Sequence, residues 1–127
     1  MGAWSHEPIG NDDALDFLDD LSAEPNWALV RAAFLPTQND DYLEAPEASA
    51  AVAAAAVVAA ARAGREIDEE YAGIIGKLGP MPLDLPQSAI AALTKVGAGS
   101  ELDELWSDSE DYEAWRTTLS QLENELK

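Results

Sequence analysis

The sequence predicts an all-α fold, a compact single-domain bundle of five to seven helices over residues 1–127, and three observations carry that prediction. The stretch PEASAAVAAAAVVAAARAG at 46–64 contains fourteen consecutive residues, Ala48 to Ala61, without a charge and with Ser49 as the one polar side chain. The segments on either side repeat apolar residues at three- and four-residue intervals, the period of a helix with one buried face. No alternating run of β-branched residues appears that would mark a half-buried strand. A chain of 127 residues has the length of one domain and can bury about two-thirds of its unfolded surface.

The alanine-rich helix, expected at about 46–63, is the element around which the others should pack. Alanine loses no side-chain entropy in a helix, and Val52, Val57 and Val58 project at about 0°, 140° and 240°, which leaves no polar face. Its uncharged run would span about 21 Å, short of a hydrocarbon core of about 30 Å, so a buried central helix is expected. Pro46 suits the first turn, Glu47 complements the positive helix start, and Gly64 can supply a left-handed cap.

In chain order, residues 1–11 read as an ordered irregular arm plugged into the core by Trp4. Asn11 or Asp12 then caps a helix over 13–21. Its Asp12, Asp13, Asp16, Asp19 and Asp20 occupy an arc of about 120°, with Ala14, Leu15, Phe17, Leu18 and Leu21 opposite. Pro25 opens a second helix that buries Trp27, Val30 and Phe34, and Pro36 should end it. Residues 36–45 form a polar connection, with Tyr42 and Leu43 tucked against the alanine helix. Ile67, Tyr71, Ile74, Ile75 and Leu78 predict a helix over 67–78 despite Gly73 and Gly76. Three prolines make 79–86 a rigid connection. A helix over 87–96 buries Ile90, Leu93 and Val96 and stops at Gly97. Ser100 and Asp103 have near-capping-box spacing before a short helix with Leu102, Leu105 and Trp106. The last helix, 110–126, aligns Tyr112, Trp115, Leu119, Leu122 and Leu126 as a narrow stripe, either core or an exposed seam for a homodimer.

The formal charge of −18 is concentrated at the two ends of the chain. Residues 1–47 hold eleven acids against Arg31, and residues 101–127 nine against two bases. Such a field repels nucleic acid and anionic membranes and attracts basic proteins or divalent cations. The absence of cysteine removes disulfides, thiolate metal sites and cysteine nucleophiles. MGAWSHEP has no basic segment followed by an apolar run, so no signal peptide is expected, and His6 breaks the myristoylation pattern. A cytoplasmic location is expected.

Three motifs together resemble the bacterial domain-of-unknown-function 4259 family. They are Met1-Gly2-Ala3-Trp4 followed by Asn11 to Asp16, Tyr42 to Glu47 at the entry to the alanine helix, and Ser100 to Trp106 followed by Asp111 to Trp115. The likeness covers essentially the whole chain. It implies a small bacterial protein and no assigned activity. One departure is Ala56, which stands where that family often carries a glutamate inside the alanine helix, so any chemistry that glutamate performs is missing here.

Few residues are suited to catalysis. The one histidine, His6, adjoins Ser5 too closely for a nucleophile–base pair and suits a bond to Glu7 or Asp12 instead. Gly73, Gly76 and Gly79 near Lys77 match no phosphate-loop spacing. The runs Asn39-Asp40-Asp41 and Asp108-Ser109-Glu110-Asp111 gather oxygens without calcium-loop spacing, so neither metal nor cofactor is expected. The leading expectation is a non-enzymatic acidic domain that inhibits a basic partner, in the manner of an immunity protein or antitoxin. Its contact residues would be Asp12, Asp13, Asp16, Asp19 and Asp20, with Asp108, Glu110, Asp111 and Glu113 as a second patch. Nearly level is a soluble cytosolic helical domain whose acidity serves solubility, in a possible homodimer. Third is a carboxylate metal site or enzyme assembled in three dimensions, for example from Asp16, Asp20 and Glu47.

Overall fold

The computed structural model describes residues 12–39, 41–67, 71 and 73–127. These form seven helices: α1 Asp12–Ala23, α2 Trp27–Asn39, α3 Ala45–Ala63, α4 Ile74–Leu78, α5 Leu85–Ala98, α6 Glu101–Ser107 and α7 Tyr112–Leu126. No strand occurs among the described residues beyond a single parallel bridge between Leu43 and Ser100. The arm expected at 1–11, with Trp4, His6 and Asn11, lies outside the described residues.

Helix α3 is the centre: each of the six other helices packs against it. From Ala48 to Ala60 every side chain is buried except the half-buried Ala50. Alanine makes that arrangement possible, because the distance between packed helices is set by the side chains between them. Pro46 occupies the first turn, the Glu47 carboxylate accepts the Glu44 N–H at 3.3 Å, and Gly64 closes the helix at φ 73°. By length and composition α3 could cross a membrane, yet 72% of its apolar window is buried within the bundle.

The larger apolar residues come from the surrounding helices. Leu18 and Leu21 of α1, Val30 and Phe34 of α2, Leu93 and Val96 of α5, and Trp115, Leu119, Leu122 and Leu126 of α7 are all buried. The α7 stripe is therefore core, packed on α5 and α3, and it offers no free seam to a second copy.

Several boundaries differ from expectation for identifiable reasons. Helix α2 starts after Asn26, whose Oδ1 accepts the Leu29 N–H at 3.0 Å, and it runs through Pro36 to Asn39. The carbonyl that proline leaves without a helical donor belongs to the exposed Ala32, where water can serve. Within the 36–45 connection Leu43 is fully buried, but Tyr42 is 47% exposed and turns outward. The apolar residues of 67–78 go inward as expected, and among the described residues the regular α-helix there is Ile74–Leu78, preceded by Gly73 at φ 90°; residues 68–70 and 72 of the expected helix lie outside the described set. Helix α5 begins at Leu85 with Pro86 in its first turn, where a missing N–H costs nothing, and it passes through Gly97 to Ala98. Ser100 caps α6 with its Oγ accepting the Asp103 N–H at 3.0 Å and donating to the Val96 carbonyl at 2.6 Å.

Two substitutions on α3 test this packing. Ser49 Oγ is buried without a hydrogen-bond partner among the described residues. Replacing Ser49→Ala should raise unfolding free energy by about 1 kcal/mol in urea denaturation, since an unsatisfied hydroxyl is removed and helix propensity improves. Ala54→Leu should lower it by about 1–3 kcal/mol, because the extra volume meets packed neighbours.

Candidate functional site

The acidic residues singled out by sequence fall into two patches on separate helices around the core. On α1, Asp12, Asp16, Asp19 and Asp20 are exposed, while Asp13 is half-buried at the edge of the face. The apolar side of the same helix buries Ala14, Leu18 and Leu21 against α3. Asp19 has an internal use as well, since its Oδ1 accepts the Tyr71 hydroxyl at 2.9 Å. The second patch lies at the α6–α7 turn. Asp108 caps α6, Asp111 precedes α7, Glu113 lies in its first turn, and all three are exposed with Glu110. Asp111 and Glu113 stand at the positive start of α7, a structural return that Asp20, late in α1, lacks, whereas Asp108 sits at the negative end of α6.

What the basic side chains do decides the character of both patches. Arg31 pairs with Asp84 through contacts of 2.5 and 3.0 Å, lowering the Asp84 pKa and raising its own, and Arg65 pairs with Glu125. Arg116 reaches Asp103 at 3.3 Å and the Gly97 carbonyl at 2.6 Å. Arg62 donates to the Lys127 carbonyl and Lys95 to the Asp41 carbonyl. Among the described residues none of the nine candidate acids takes part in a salt bridge.

Two clusters were not legible in the sequence. At the start of α3, the Leu43 N–H donates to the Gly99 carbonyl and the Glu101 N–H returns a bond to Leu43, at 3.1 and 2.7 Å. Glu101 Oε1 accepts the Ala45 N–H at 2.8 Å, and the Tyr42 hydroxyl donates to Glu104 Oε2 at 2.8 Å. That bond, reinforced by partial burial and by the charges of Glu104, Glu101 and Glu44, pushes the Tyr42 pKa up to about 12. The motifs were visible separately, but their partners are 62 residues apart for Tyr42 and Glu104.

The other cluster joins α5, α6 and α7. Tyr112 donates to Asp103 at 3.0 Å, which holds its pKa above the ordinary tyrosine value, and the Tyr112, Trp115 and Trp106 rings stack in sequence. A Cβ on Gly97 would stand 2.8 Å from Arg116 Nη1, so glycine makes room for the guanidinium inside α5. Beside it a shallow cleft of about 290 Å³ runs between α5 and α7, floored by Leu93 and Leu119 and flanked by Thr94, Arg116, Ser120 and Glu123.

Among the described residues no three acidic or histidine side chains stand together so as to hold a metal ion, so Asp16, Asp20 and Glu47 do not converge. His6 lies outside the described residues.

The Tyr42 site has a definite pH signature. A tyrosine whose folded pKa lies above its unfolded value contributes stability that is present below the unfolded pKa, near 10, and is lost as pH rises through the folded one, near 12. Titration of tyrosinate absorbance should show one tyrosine ionising near 12, and Glu104→Gln should return it toward 10. A wild-type titration with all three tyrosines near 10 would contradict the Tyr42–Glu104 bond.

No curated protein and no solved structure matches the chain. The family model described as Domain of unknown function (DUF4259) matches residues 2–118. With the match spanning nearly the full chain, from before α1 into α7, the protein belongs to the DUF4259 family.

Proposed function

We propose that this protein is a non-enzymatic, cytoplasmic acidic binding domain that engages and inhibits a basic protein, as immunity proteins and antitoxins do. The observation that carries the reading is the α1 face, where exposed carboxylates stand without a cation among the described residues. Asp12 and Asp16, and Asp16 and Asp20, are four residues apart; Asp13 and Asp16, and Asp16 and Asp19, are three apart. Each such like-charge pair costs an isolated helix about 0.2–0.5 kcal/mol. The sum, roughly 1–2 kcal/mol, is a sizeable share of a typical domain stability of about 5–15 kcal/mol. Asp12 and Asp13 recover part of it at the helix start; Asp16 and Asp20 have no such return. A basic surface would relieve the repulsion on binding, and the field of the whole chain would speed its arrival.

Helical domains can also be acidic for solubility, and experiment separates the two. The protein is purified from its host at low salt, and any copurifying basic protein is isolated and its association rate measured. A partner should be retained at low salt and released at moderate salt, because exposed charge pairs are screened over about 10 Å at 0.1 M. Asp16→Lys with Asp20→Lys should slow association about tenfold or more while leaving the helical circular dichroism signal unchanged. No basic partner, or association indifferent to salt, would overturn the reading; loss of helicity in the double variant would make the face structural.

A further inference from the structure

Among the described residues the large apolar side chains left exposed are Leu35, Tyr42, Leu83 and Leu105. Leu35 lies one turn beyond Arg31 and Leu83 adjoins Asp84, so those two flank a neutralised ion pair that selects no particular partner. Tyr42 and Leu105 differ. They flank one carboxylate: the Tyr42 hydroxyl donates to Glu104 at 2.8 Å, and Leu105 follows Glu104 on α6. Tyr42 is 47% and Leu105 52% exposed.

On α6, positions 101, 104, 105 and the capping 108 fall within an arc of about 100°, opposite the buried Leu102 and Trp106. Glu44 adds a further carboxylate whose charge is felt at the Tyr42 hydroxyl. No salt bridge among the described residues neutralises Glu44, Glu101, Glu104 or Asp108. The result is an exposed aromatic and an exposed aliphatic side chain beside four carboxylates that take part in no salt bridge among the described residues, with Lys95 on the Asp41 carbonyl as the neighbouring cation. Protein interfaces concentrate their energy in such apolar anchors, with tyrosine prominent, and use the charged rim for orientation and steering.

We infer that the Tyr42–Leu105 face is the contact centre for the basic partner proposed above, and that it takes a segment whose apolar side chains are flanked by lysine or arginine. The inference rests on the acidic-binder reading but adds a requirement, namely that charge alone is not sufficient for recognition.

Two fluorescent peptides serve as probes: an amphipathic helix of lysine and leucine, and a lysine-only peptide of equal length. The full chain should bind the lysine–leucine peptide about tenfold more tightly than the lysine-only one in fluorescence anisotropy. Tyr42→Ser with Leu105→Ser should abolish that preference while retaining the lysine-only affinity and the helical circular dichroism signal, and Tyr42→Phe should retain the preference. Equal affinity for the two peptides, or a preference that survives the double substitution, overturns the inference. If the lysine-only peptide binds in a salt-dependent way and is weakened by Asp16→Lys with Asp20→Lys while no preference maps to Tyr42 and Leu105, the acidic-binder reading stands and this one falls. Absence of salt-dependent binding by either peptide removes both.

Discussion

The close approach of six helices to the methyl surface of α3 is the constraint on which the rest of the structure depends. An alanine helix contributes little apolar area of its own, so the core must be filled from outside by leucine, valine, phenylalanine and tryptophan on the neighbours. That division of labour explains why α1, α2, α5 and α7 each carry a clear apolar stripe while α3 carries none. It also leaves α3 chemically silent. With Ala56 buried, the one buried polar side chain that α3 carries is that of Ser49.

How much of this was legible in the sequence varied with the range of the interaction involved. The α3 boundaries and the Gly64 cap could be read because Pro46 and Gly64 act on backbone within a few residues of themselves, whereas the N-cap at Glu44, whose N–H bonds to Glu47, was not read. The apolar stripes were legible for the same reason. Pro36 misled because the carbonyl it leaves without a helical donor belongs to Ala32, whose exposure to water is a tertiary fact. The described apolar residues of 67–78 kept the burial pattern, but Gly73 at positive φ sets the start of α4 at Ile74, which spacing does not reveal. On the surface, the α1 acids could be placed by period alone. The Tyr42 cluster could not, because Tyr42 was read as core and its partners arrive from α6.

The charges are distributed unevenly in a way composition does not reveal. The arginines serve as internal ties between helices and their connections: Arg31 to the turn before α5, Arg62 and Arg65 to the end of α7, Arg116 to α5 and α6. Exposed ties of this kind are individually weak. Their larger effect is on the surface potential, because cations committed to these positions leave the carboxylates of the α1 face, and Glu44, Glu104 and Asp108, outside the salt bridges among the described residues.

The bridge between Leu43 and Ser100 also bears on when the surface comes into existence. Helix α3 is local and can form early, but the Ala45 N–H at its entrance waits for Glu101, 56 residues later in the chain. Closing so long a loop costs chain entropy that the contacts of the docked helices must offset. The α1 carboxylates share a face by local helix geometry alone, whereas the Tyr42–Glu104 pair exists only where α6 has docked at the entrance of α3. A partner that reads this pair therefore reads completion of the fold, and its binding free energy adds to the stability of the finished bundle alone.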